Sequence, residues 1–151
     1  MSQIVVDASV AVKWVVQENG TAQALAIRQG RQLIAPDLIV AECANILWKK
    51  VTRLELTVEQ ASLAARLLER VDIELLPMRR LLDAATKIAI DLDHAAYDCM
   101  YLAVALETGA PLVTADDRLL RKVRQERSGR FTDSVLSLSD AASGLGATSF
   151  T

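Results

Sequence analysis

An α/β domain built on a mostly parallel sheet is predicted by three features of the sequence. Short, mainly apolar runs (Ile4-Val5-Val6, Leu33-Ile34-Ala35, Ile73-Glu74-Leu75-Leu76 and Leu112-Val113-Thr114) recur along it. Apolar runs that do not alternate with polar residues mark strands buried on both faces. Helical segments separate these runs, and strands joined through helical crossovers lie parallel. The third feature is composition: 52% apolar and 24% charged residues with only 6 Gly and 3 Pro exclude collagen-like, low-complexity and disordered chains. At 151 residues, one core is expected. We read 1–151 as a single α/β domain with a central sheet flanked by helices, residues 1–140 forming the core and 141–151 a tail.

Each element has its own local signal. Strand 4–6 ends on Asp7, and Ser9 offers an N-cap for a helix over 10–16, which Asn19-Gly20 closes before a second helix over 21–29. Strand 33–35 stops at Pro36. Asp37 can cap a helix to residue 51, with Lys49 and Lys50 suited to its negative end. Thr57 and Gln60 have capping-box spacing, so a helix follows to residue 70, striped by Leu63, Leu67 and Val71. Strand 73–76 precedes Pro77 and a helix over 79–90. Asp93 is positioned to cap a helix that runs to Glu107 and stops at Gly109. Strand 112–114 leads into a helix over 116–123, and residues 131–138 carry a weak edge-strand pattern.

Charge narrows the partners. Lys and Arg number 17 against 19 Asp and Glu, so no global basic excess advertises a polyanion and any such site is local. No apolar run approaches the ~18 residues of a membrane span. The N-terminus has neither a cationic leader nor a long apolar segment, so a cytoplasmic protein is expected, with no membrane partner. Cys43 and Cys99 lack metal-ligand spacing and read as buried thiols.

Ligands of open parallel sheets gather beyond the carboxyl ends of the strands. Asp7 ends the first strand and Asp116 lies two residues past Thr114, so both point to that edge, while Glu42 and Asp98 sit early in helices that start near it. Four carboxylates meeting there repel one another and are desolvated, a state that a cation relieves. With one His and no Cys pair the donor set suits Mg²⁺ or Mn²⁺, ions that activate a water and neutralise phosphate in phosphodiester hydrolysis. Taken singly, each acid also reads as a turn, cap or solvated helix residue. Glu42 and Asp98, however, lie in largely apolar stretches, where an unpaired charge is costly.

With these residues in place the sequence resembles the PIN-domain family, and within it the VapC-like ribonuclease toxins of toxin–antitoxin pairs. The matching segments are Val5-Val6-Asp7-Ala8-Ser9, Pro36-Asp37-Leu38 through Glu42-Cys43-Ala44-Asn45-Ile46-Leu47, Tyr97-Asp98-Cys99-Met100-Tyr101-Leu102-Ala103, and Leu112-Val113-Thr114-Ala115-Asp116-Asp117-Arg118-Leu119. They occur in the family's order and span nearly the whole chain. The resemblance implies a Mg²⁺ or Mn²⁺ site of Asp7, Glu42, Asp98 and Asp116 that cuts RNA. It also implies a cognate antitoxin protein as partner, and a homodimer. Ser9, Asn45 and Thr114 take positions where the family often has polar residues and are candidates to hydrogen-bond the carboxylates or metal waters; as caps and turn residues they read equally well. Asp117 is an alternative to Asp116, although the Thr-x-Asp pattern favours Asp116.

Other residues carry two readings each. Arg118, Arg121, Lys122, Arg124, Arg127 and Arg130 face a single acid, Glu126; the cluster is a solvated face or an RNA-backbone contact beginning beside Asp116, with Arg118, Arg121 and Lys122 nearest. His94 is read as a surface first-turn residue rather than a general acid. Lys13 approaches a phosphate or lies on a solvated face. Trp14 and Trp48, set among Val and Leu, are assigned to the core or a subunit contact rather than to base stacking. Asp91 and Asp93 are read as helix-terminal acids. A non-catalytic, receiver-like Mg²⁺-binding module is the alternative class, but it calls for paired early acids and a lysine after a late strand, and here Asp7 stands alone and Thr114 leads into Ala115-Asp116-Asp117. A haloacid-type hydrolase wants a second acid where Ser9 stands.

Overall fold

The computed structural model describes residues 2–148. Its centre is a five-stranded parallel sheet of order β3-β2-β1-β4-β5, made of β1 (Gln3–Val6), β2 (Gln32–Pro36), β3 (Glu74–Leu76), β4 (Leu112–Thr114) and β5 (Val135–Ser137). Val5 lies opposite Ile34 on one side, and Val6 opposite Val113 on the other. These four side chains are essentially inaccessible, because helices cover both faces of the sheet; that is why the runs read as continuously apolar.

Eight α-helices surround it: α1 (Ala8–Ala11), α2 (Thr21–Arg28), α3 (Leu38–Thr52), α4 (Val58–Leu68), α5 (Leu82–Leu92), α6 (Ala96–Thr108), α7 (Asp117–Gln125) and α8 (Leu138–Thr148). Helix α6 packs on β1, β2 and β4 with α5 against it, and buries Cys99, Tyr101, Leu102, Ala103, Val104 and Ala105. A helix apolar all round is a core helix. The capping box at Thr57 and Gln60 forms as expected, both reciprocal bonds being made.

Several boundaries differ from the sequence reading, each for a local reason. The cap of the first helix is Asp7, not Ser9: α1 starts directly after the strand, and the Asp7 carboxylate accepts from the Val10 amide at 3.2 Å. The helix expected over 10–16 is that single turn followed by a 3₁₀ turn, Val12–Trp14. Trp14 leaves the helical path to donate its indole N–H to the Ala24 carbonyl at 2.8 Å. Asp93 does not cap α6. It ends α5 in the left-handed region (φ 50°), a conformation Asp tolerates, and the His94 amide turns back to the Ala89 carbonyl. Asp37 precedes α3 without a side-chain cap, its amide instead bonding to the Leu76 carbonyl. Only residues 135–137 of the expected 131–138 strand pair. Residues 141–148 continue helix α8, which packs on α2; 149–151 lie outside the described residues. Trp14 is buried, whereas Trp48 is exposed and belongs to no core.

The chain lays β2 and β3 on one side of β1, then crosses back to place β4 and β5 on the other. The strand order therefore reverses between β1 and β4. Asp7 and Thr114 stand at the carboxyl ends of these two strands, the edge where ligands of such sheets gather.

Candidate active site

Asp7 is 6% exposed, and both of its oxygens are engaged. One accepts from the Ser9 hydroxyl at 2.5 Å and the Val10 amide; the other accepts from the Thr114 hydroxyl across the β1–β4 gap. The same hydroxyls go on to hold the next loop, Ser9 accepting from the Ala115 amide and Thr114 from the Asp116 amide. Ser9 and Thr114 thus tie the two strand ends together. Asn45, offered for a similar role, is exposed on α3 and makes no side-chain hydrogen bond among the described residues.

The other three acids arrive on separate helices. Glu42, on α3, accepts from the Tyr101 hydroxyl at 2.5 Å. Asp98, in the first turn of α6, bonds to His94 Nε2 at 2.6 Å. Asp116 caps α7, accepting from the Arg118 amide at 2.9 Å. Asp117 is exposed on the first turn of α7, so the adjacent pair is split, one acid turned inward and one outward.

The sequence reading missed Tyr101 and misplaced His94. The His94 side chain is only 9% exposed and joins the site rather than the surface. A signal existed: Tyr101 lies three residues after Asp98, the spacing that places side chains on one helical face, and His94 lies four before it, just ahead of α6. Tyr101→Phe is expected to weaken divalent-metal binding on the order of 10-fold and stability by about 1–2 kcal/mol, read by calorimetric titration and urea melts.

Electrostatically the four acids form one cluster. Burial pushes the Asp7 carboxyl up to about 6 against the hydrogen bonds of Ser9 and Thr114, with a further push from Asp98. Burial raises Glu42 as well, opposed by Tyr101 and assisted by Asp98 and Asp116. Asp98 is raised by burial and by the charge of Asp116 despite His94. Among the described residues no Lys or Arg pairs with any of the four. A group of buried and half-buried, mutually repelling oxygen donors with no paired Lys or Arg fits a hard divalent ion. His94, Asp98 and Asp116 each place one donor atom within 4.8 Å of the others. The cysteines add nothing: burial and the neighbouring acids push Cys43 up to about 12 and Cys99 up to about 11, so both stay thiols.

Beside the cluster lies a cleft of about 470 Å³ bordered by His94, Arg118, Arg121, Lys122 and Gln125. The four α7 residues follow i, i+3, i+4, i+7 spacing and share one face, while Leu119, Leu120 and Val123 bury the other. Lys13 points elsewhere, to Glu18 and the Asn19 carbonyl. Asp91 pairs with Arg130 at the surface.

Comparison with known proteins identifies relatives of the whole domain. The chain matches the PIN domain over residues 4–125. It is 31% identical over 126 residues to Ribonuclease VapC3 of Pyrobaculum aerophilum, covering 80% of this chain and 94% of that protein. The crystal structure of PAE2754 from Pyrobaculum aerophilum shares the fold, with a TM-score of 0.67 at 23% identity over 97% of this chain and 90% of that one.

Proposed function

The chain belongs to the PIN-domain family, and from that membership we propose that it is a Mg²⁺- or Mn²⁺-dependent endoribonuclease, the toxin of a toxin–antitoxin pair. The observation that carries the reading is the mutual electrostatic influence of Asp7, Glu42, Asp98 and Asp116, from four separate elements near the reversal of strand order, with no Lys or Arg paired to them among the described residues. These four would hold the ion. When bound, a divalent ion neutralises charge on the scissile phosphate and acidifies a water. The protein's part is orientation: Ser9, Thr114 and the Val10 amide fix Asp7, Tyr101 fixes Glu42, and the Arg118 amide fixes Asp116. Arg118, Arg121 and Lys122 receive the RNA backbone in the neighbouring cleft.

The test is cleavage of total cellular RNA by the purified protein with Mg²⁺ or EDTA, beside folded Asp7→Asn and Asp98→Asn variants. Discrete cleavage lost in EDTA and in both variants is expected; cleavage that survives in the variants overturns the site. A second measurement isolates the cleft. In EDTA, Arg121→Gln with Lys122→Gln is expected to lower the slope of log affinity for single-stranded RNA against log salt by about 0.7 for each phosphate that is no longer neutralised. An unchanged slope removes α7 from the RNA path.

Protein partners are supported by an apolar cleft of about 430 Å³ between α3 and α4, lined by Ile39, Val40, Leu47 and Leu68, near which the same helices expose Trp48, Leu63 and Leu67. We assign an antitoxin and a second copy of the chain as those partners, in the cytoplasm. Among the described residues no helix is long and apolar enough to cross a membrane.

A further inference from the structure

We infer that His94 is itself a metal ligand, so that His94, Asp98 and Asp116 form a mixed nitrogen–oxygen site that takes Mn²⁺ in preference to Mg²⁺. The inference deepens the metal-dependent reading and rests on it. His94 adds a nitrogen donor beside the acids, bonding Asp98 through its Nε2. His94 Nε2 and one oxygen each from Asp98 and Asp116 lie within 4.8 Å of one another.

Their spacing suits an ion. Neighbouring ligands of an octahedral ion at 2.0–2.1 Å lie about 3 Å apart and opposite ones about 4 Å. His94 Nε2 and Asp98 Oδ2, hydrogen-bonded at 2.6 Å, need only exchange the shared proton and part to about 3 Å to flank an ion. The imidazole is held for the task, with its side chain 9% exposed and its backbone amide bonded to the Ala89 carbonyl. An imidazole donor moves selectivity away from Mg²⁺, which prefers oxygen, toward a borderline ion such as Mn²⁺.

The test uses the fact that His94 is the only histidine in the chain. The full-length protein is loaded with Mn²⁺ and its electron spin-echo modulation recorded, unlabelled and with ¹⁵N-histidine. A ¹⁴N imidazole signal that converts to ¹⁵N on labelling is expected. Calorimetric titration of His94→Gln should then show Mn²⁺ affinity reduced on the order of 10- to 100-fold and Mg²⁺ affinity reduced less than about threefold. Bound Mn²⁺ without a nitrogen signal overturns the inference. So does an equal loss for both ions, which would leave His94 only a positioning residue for Asp98. RNA cleavage measured in parallel separates the two readings. Metal-dependent cleavage without the nitrogen signal sinks this inference alone, and the nitrogen signal without cleavage sinks the ribonuclease reading alone. A protein that binds neither ion sinks both.

Discussion

Asp7→Asn is expected to reduce RNA cleavage on the order of 10²-fold or more while making the metal-free protein more stable by about 1–3 kcal/mol at pH 7. The two effects have one cause. Asp7 is buried at the reversal of strand order, where its ionised form is held against desolvation and against the charge of Asp98. An amide of the same shape removes the buried charge. It retains a carbonyl to accept from Ser9 and Val10, and its NH₂ can donate to Thr114, so most of the local hydrogen bonding survives. What is lost is the anionic oxygen an ion needs. Urea melts in EDTA and cleavage assays in Mg²⁺ read the two effects; a variant less stable than the wild type would show that the carboxylate is chiefly a structural anchor of β1 and β4.

The second large effect is a fall in metal-free stability as pH rises from about 4 to about 6. Asp7 has its carboxyl raised from 3.8 to about 6 in the folded chain. Below the unfolded value both states are protonated and the site costs nothing. Between the two values the folded state holds the extra proton, and above the folded value the full penalty remains, about 3 kcal/mol for that group. Burial raises Glu42 and Asp98 in the same direction, so they add to the trend. Thermal melts in EDTA at intervals from pH 4 to 7 should fall most steeply across this window, and Asp7→Asn should flatten the profile. A divalent ion binds the ionised carboxylates and should offset the fall toward neutral pH. If wild type and Asp7→Asn show the same profile, the carboxylate is not the group that titrates.

Much of this was legible locally. The four core strands announced themselves as apolar runs because each is covered on both faces, and Thr57 with Gln60 gave the start of α4 because a capping box is contained in four consecutive residues. The acids themselves were also legible, since Asp7 and Asp116 follow strands and must therefore stand at the carboxyl edge of a parallel sheet. The errors fell where a local signal had competitors. Ser9, Asp37 and Asp93 are all good capping residues, yet a strand that runs directly into α1 gave the cap to Asp7, a sheet hydrogen bond to Leu76 claimed the Asp37 amide, and a left-handed turn made Asp93 the end of α5. Residues 141–148, small and uncharged, looked like a tail because Ala and Gly offer no strong amphipathic stripe. They form a helix through packing against α2.

By itself, then, the sequence determined the main element types and the parallel sheet, and it singled out the four acids as candidates, because period, capping and strand-end position are properties of a few neighbouring residues. Only the tertiary structure decided that Ser9 and Thr114, candidates by position, bind Asp7 and that Tyr101 and His94 join the other acids. Thr114 reaches Asp7 across 107 residues of sequence through the pairing of β1 with β4, and Tyr101 reaches Glu42 across 59 through the placement of α3 and α6 around the sheet. The same holds for His94. Its place four residues before Asp98 permitted the contact, but its setting depended on the turn that closes α5, where its amide bonds to the Ala89 carbonyl.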